Sequence, residues 1–200
     1  MFNSILDKPA PTQFRENVPK SDLPWVWFGF IFAFAFLVAE FVTLMPDLEQ
    51  ETFNLVFIVI MLAGWIYWLF CVHRFHKILR EMSHKSYPIL PNEAVLRHFI
   101  PFYNLVWMFR WPAAFSGYIN DRGRVRMVSG NLIGLLLLAS FILRFVDGAI
   151  ALAVIFAAGL YLSAKLRRHI ELLKAESPEM LPPLPDKNLF GYLPGQEQGK

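Results

Sequence analysis

The sequence predicts an all-α polytopic membrane helical bundle with four transmembrane helices and an interfacial or re-entrant central segment. Three observations carry that prediction. Hydrophobic residues make up 56% of the 200 residues and the mean hydropathy is +0.40, more apolar surface than a water-soluble domain of this size hides. The excess is gathered in four blocks, each close to the ~20 residues that cross ~30 Å of hydrocarbon. The lysines and arginines lie almost entirely on one side of those blocks.

Residues 1–24 form a polar cytoplasmic arm. Asp7, Lys8, Arg15, Glu16, Lys20 and Asp22 are interspersed with Pro9, Pro11 and Pro19, which leaves no apolar core for a cleavable signal peptide. The first span covers 25–45. Its phenylalanines at 28, 30, 32, 34 and 36 alternate with Gly29, Ile31, Ala33 and Ala35, a period of two that mimics a strand. Both faces are apolar, however, over about twice the ~10 residues a barrel strand needs, so the segment is read as helix. On a helix, Gly29 with Ala33 and Ala35 with Ala39 are small residues four apart, where another helix approaches closely. Gly130 with Gly134, and Ala149 with Ala153 and Ala157, repeat the device in the later spans and are read as intramolecular packing faces.

The second span, 53–72, contains Cys71, the single cysteine, so an intrachain disulfide or a multi-cysteine zinc site is excluded. Spans three and four are read at 127–143 and 148–164. The basic residues number three before span one, none between spans one and two, nine from Arg74 to Arg126, one (Arg144) between spans three and four, and six afterwards. Because basic loops stay inside, both termini and the central segment are expected to be cytoplasmic.

The basic central segment runs from 73 to 126. Phe75, Ile78, Leu79 and Met82 recur at helical spacing, so helix two is expected to continue past the span with that stripe against membrane or protein. Within 94–119, the uninterrupted apolar stretch from Phe99 to Phe109 is too short to cross and holds Pro101 and Asn104, hence an interfacial or re-entrant segment. Past the fourth span, an amphipathic basic stem from Lys165 to Lys174 leads to a proline-rich cytoplasmic tail, so that 165–200 is stem and tail.

Part of the central segment, namely Pro91, Ala94 and Val95 followed by Phe99, Ile100, Pro101, Phe102, Tyr103, Asn104 and Leu105, resembles a family of uncharacterised bacterial multi-span membrane proteins, classed as a domain of unknown function. The resemblance implies a multi-helix inner-membrane protein and supplies no activity or site residue.

Few residues invite chemistry. Glu40 near the outer end of span one needs a partner at that depth; Arg144 is the preferred one, with Asp147 competing for it as a structural ion pair. Lys77, Arg80, Arg97, Arg110, Arg122, Arg124 and Arg126 form a face suited to anionic membrane lipids or a membrane-protein partner. His73 and His76, three apart, are the pair closest to metal-ligand spacing, but the cations beside them oppose a bound cation and His84 and His98 lie in another stretch. No metal, no cofactor and no nucleic acid are expected. The chain lacks a glycine-rich phosphate loop, HExxH and GxSxG, so the reading is a non-enzymatic accessory or scaffold protein contacting lipid or a partner. A small oligomeric channel or transporter with 94–119 re-entrant is the alternative.

Overall fold

The structure is a computed structural model that describes residues 17–43 and 50–176, the side chains of 50–53 excepted. The expected proline-rich tail beyond Glu176 and most of the N-terminal arm lie outside the described residues. Among the described residues all regular structure is helical. A 3₁₀ turn, Val26–Phe28, leads into α1 (Gly29–Val42); α2 (Gln50–Met82), α3 (Pro91–Leu96), a 3₁₀ turn (Arg97–Phe99), α4 (Tyr103–Asp121), α5 (Gly130–Leu143) and α6 (Gly148–Glu176) follow. Two of these, α2 from Asn54 and α6, are long and apolar enough to cross a membrane.

Helix α1 packs on α2 and α6, α5 on α6 and α4, and α3 on α2. Two ends of the bundle are distinct. The turn end holds the C-terminus of α1 and the α5–α6 turn; the stem end holds the last turns of α2 and α6. At the stem end Phe75, Ile78, Leu79 and Met82 are all fully buried, in one core with Phe115, Ile119, Leu166 and Leu173. The stripe expected on this stretch of α2 therefore faces protein. Phe75 meets the Phe115 ring edge-on at 6.1 Å.

Small residues set the closest approaches. Gly29 lies against the Phe156 ring, and Gly130 and Gly134 lie against the backbone of α4. Pro112 inside α4 has no N–H to donate to the Met108 carbonyl, and that carbonyl faces Gly134, where only glycine leaves it room. Helix α5 begins at Gly130, three residues later than the span read from sequence, because the Ser129 hydroxyl caps it by accepting from the Asn131 N–H at 3.3 Å.

The end of the N-terminal arm is tied down, which its composition did not announce. The Glu81 carboxylate, in the last turn of α2, accepts from the Ser21 hydroxyl at 2.7 Å and from the backbone N–H groups of Lys20 and Ser21 at 2.9 Å each. Asn17 adds a backbone bond to the Met82 carbonyl at 3.0 Å.

Candidate functional site: a folded-back hairpin and the cavity beyond it

Residues 91–121 fold back on themselves as a helical hairpin. Pro91 at the first position of α3 starts the descending limb with φ already suited to a helix. This limb runs antiparallel to α2: His73 Nε2 and Asn92 Oδ1 are 3.2 Å apart at one end, and Trp65 meets Phe99 edge-on at 5.1 Å at the other. From His73 back to Trp65 is about 12 Å along α2 at ~1.5 Å per residue. The Ala94 carbonyl fastens the limbs, accepting from His98 Nδ1 at 2.7 Å and from the Trp107 indole N–H of α4 at 3.0 Å. A carbonyl only accepts, so Nδ1 of His98 carries the proton.

The tip is a strained turn. Phe102 has φ +59° and ψ −39°, and the Tyr103 N–H reaches the Pro101 carbonyl at 2.6 Å, a three-residue γ-turn in a conformation that bulky side chains avoid. Around it the apolar side chains point outward: Phe102 is 88% exposed, and Leu96, Phe99, Ile100 and Val106 are exposed as well.

Because the hairpin reaches only part of the way along α2, the space between α2 and α5 toward the turn end is left open. A cavity of about 600 Å³ occupies it, walled by Leu62 and Trp65 of α2, Leu137 and Phe141 of α5 and Ile155 of α6, with His98 in its lining and Arg144 at the turn end. Most of its wall is apolar.

The remaining residues singled out from sequence fall in several places. Glu40 and Arg144 are not among the ion pairs of the described residues. The Arg144 guanidinium instead lies over the Phe141 and Phe145 rings at 5.1 and 5.2 Å. Asp147 is spent on the backbone: its carboxylate accepts from the Ile150 N–H at 2.8 Å and so caps α6. Glu40 is half-buried on α1.

The basic residues divide. Arg97 turns into the hairpin, paired with Glu93 at 3.4 Å and stacked 4.7 Å from the Trp107 ring. Arg124 binds Glu176 at 2.8 Å, and Arg122 lies 4.6 Å over Tyr118. Lys77, Arg110 and Arg126 are exposed and Arg80 is half-buried, with Arg167 and Arg168 adding exposed cations on α6.

His73 and His76 have different surroundings, His73 beside Asn92 and His76 in the core. Among the described residues no three metal-ligating side chains converge. His76 is fully buried between the Tyr87 and Trp111 rings, each 5.5 Å away, and neither ring nitrogen has a protein partner. Burial first, then the neighbouring His98 and His73, pushes its pKa down to about 3, so it is neutral. In the sequence it drew notice only by its spacing from His73; the missed signal was the run Phe75, Ile78, Leu79, whose face it shares.

No family model matches the chain, and no curated protein or solved structure matches it.

Proposed function

We propose that this chain is a four-span protein of a bacterial inner membrane, with its stem end cytoplasmic, serving as a non-enzymatic accessory or scaffold that holds anionic lipid and a protein partner against that end. Four crossings are supported by the outward-facing apolar side chains of α1 and α5, such as Phe34, Phe41, Leu132 and Leu135, which match those of α2 and α6; in water such a surface is an aggregation liability. At 14 residues α5 covers only about 21 Å, and the segments flanking it complete the crossing. The hairpin then enters from the cytoplasmic side and turns back near mid-bilayer, its exposed apolar tip in lipid. Every backbone group of such a segment needs a partner, and the two helical limbs provide most of them internally.

The observation that carries the scaffold reading is the stem end. Here α2 and α6 run on past their apolar spans, share a closed hydrophobic core and turn Lys77, Arg126, Arg167 and Arg168 outward. A rigid platform with exposed cations beside a membrane attracts anionic headgroups, at ~1 kcal/mol per basic residue. The test replaces these four residues by Glu and compares, by native mass spectrometry after gentle extraction, the anionic lipid and protein retained. Loss of both from the variant is expected. Equal retention by the two proteins overturns the reading.

The folded-back hairpin favours a second reading, a small oligomeric channel or transporter lined by 94–119. Asn104 decides between them, since its side-chain oxygen is buried at the start of α4 with no protein partner. A cysteine at that position labelled by a membrane-impermeant thiol reagent from both sides of the membrane supports a pore; labelling from neither side returns the weight to the scaffold.

A further inference from the structure

We infer that the cavity between α2 and α5 is a binding site for one acyl chain of an anionic amphiphile, whose acidic headgroup is held by Arg144. The volume of about 600 Å³ accommodates roughly 20 groups of the ~30 Å³ that a water molecule takes in the liquid, and a methylene is of similar size. That suits a single long chain and is too little for two. Ligand sites of this kind are mostly apolar with a few placed polar groups that fix orientation.

Charge complementarity identifies the head. Among the described residues around the cavity Arg144 alone carries a full charge, and no carboxylate of the described residues lies within ion-pair distance of it. Glu40 and Asp147, the acids read from sequence as its candidate partners, are not part of the lining. The Ser140 hydroxyl is already committed to the Ala151 carbonyl at 2.7 Å, so it does not compete for the ligand. Phe141 and Phe145 hold the guanidinium flat at the mouth, and a planar carboxylate or a phosphate oxygen pair meets that edge with two parallel hydrogen bonds. His98, with its Nδ1 proton spent on Ala94, presents no second cation at the opposite end. An outer-leaflet position for the mouth rests on the topology proposed above; the site itself does not.

The test uses the full chain in a mild detergent, in a Trp25→Phe, Trp27→Phe background that removes the two most exposed indoles. Dibrominated stearate quenches tryptophan on contact, and Trp65 and Trp68 line the cavity. Saturable quenching is expected, weakened about tenfold for the uncharged methyl ester and for Arg144→Ala, and only partly restored by Arg144→Lys, which keeps the charge but not the two parallel hydrogen bonds. Leu62→Trp, which fills the cavity, should also weaken it. Quenching that rises without saturation, or that is equal for acid and ester on the parent protein, overturns the proposal and does so without depending on any variant folding. A dibrominated phosphatidylglycerol that reaches the same plateau identifies a bilayer lipid as the source, whereas a plateau with the stearate alone identifies a free fatty acid.

Discussion

Gly130 of α5 rests on the backbone of Ala113 of α4, with no space for even a methyl group between them. The contact is backbone to backbone, so no side-chain rotation relieves it. Gly130→Ala is expected to destabilise by about 1–3 kcal/mol or more through forced separation of the helices. Gly117, also on α4, has nothing within 4 Å of where a side chain would begin, and Gly117→Ala should stabilise by about 0.5–1 kcal/mol through helix propensity alone. Opposite shifts in the thermal unfolding midpoint of the two variants check the assignment. Two shifts of the same sign contradict it.

The docked arm gives a pH dependence. Burial raises the Glu81 pKa, but the hydrogen bonds from the Ser21 side chain, the Ser21 and Lys20 backbone and the charge of Lys77 outweigh it, and the net value falls below the ordinary 4.5. With a depressed folded-state pKa, the carboxylate's contribution is complete above about 4.5 and is lost as the pH falls through the lower folded value. The protection of the Lys20 and Ser21 amides, each exchange rate divided into the intrinsic rate at that pH, should therefore be high at neutral pH and fall in acid. Glu81→Gln should show low protection at both, while the amides of the α2 core stay protected.

How much of this was readable in advance depends on which contacts decide it. The helical blocks, the close approaches at Gly29, Gly130 and Gly134 and the continuation of α2 and α6 were legible, because apolar runs and four-residue spacings are local; Ala157 of the alanine face read in α6 is exposed. The fold-back of 91–121 was foreseen only as interfacial or re-entrant, since the Ala94 carbonyl that joins its limbs bonds a tryptophan 13 residues away. The cavity was invisible, being defined by how far the hairpin tip reaches along α2. Arg144 was assigned a carboxylate on charge alone. What overrode that was the position of Asp147 immediately before α6, where unpaired N–H groups claim its oxygens, and the two phenylalanines one turn before and one residue after Arg144.

His76 ties acid sensitivity to the stem core. Its folded pKa of about 3 is lower than the ordinary 6.5, so between these values the unfolded chain binds a proton that the folded chain refuses. Stability should fall as the pH drops from 6.5 toward 3, by up to about 1.4 kcal/mol per pH unit. His76→Phe removes both the titration and two buried ring nitrogens without partners, and should flatten the low-pH limb of the unfolding midpoint measured against pH. A variant that tracks the parent throughout shows that another group sets that limb.

The strained turn at Phe102 makes the last prediction, because strain and exposure act there in opposite directions. A positive φ on a bulky residue costs on the order of 1–3 kcal/mol, and glycine adopts the same γ-turn freely. On turn geometry alone, Phe102→Gly should stabilise the protein by about 1 kcal/mol. The side chain is also 88% exposed, and if the tip lies in hydrocarbon, removing it forfeits about 1.5–3 kcal/mol of apolar contact with lipid. Phe102→Gly should thus raise the unfolding midpoint where the tip meets water and lower it where the tip is covered by hydrocarbon, micelle or bilayer. A spin label at the same position should relax readily with dissolved oxygen and weakly with a water-soluble nickel chelate. Strong relaxation by the chelate would place the hairpin tip at the headgroups and remove the re-entrant geometry on which the open space between α2 and α5 is explained.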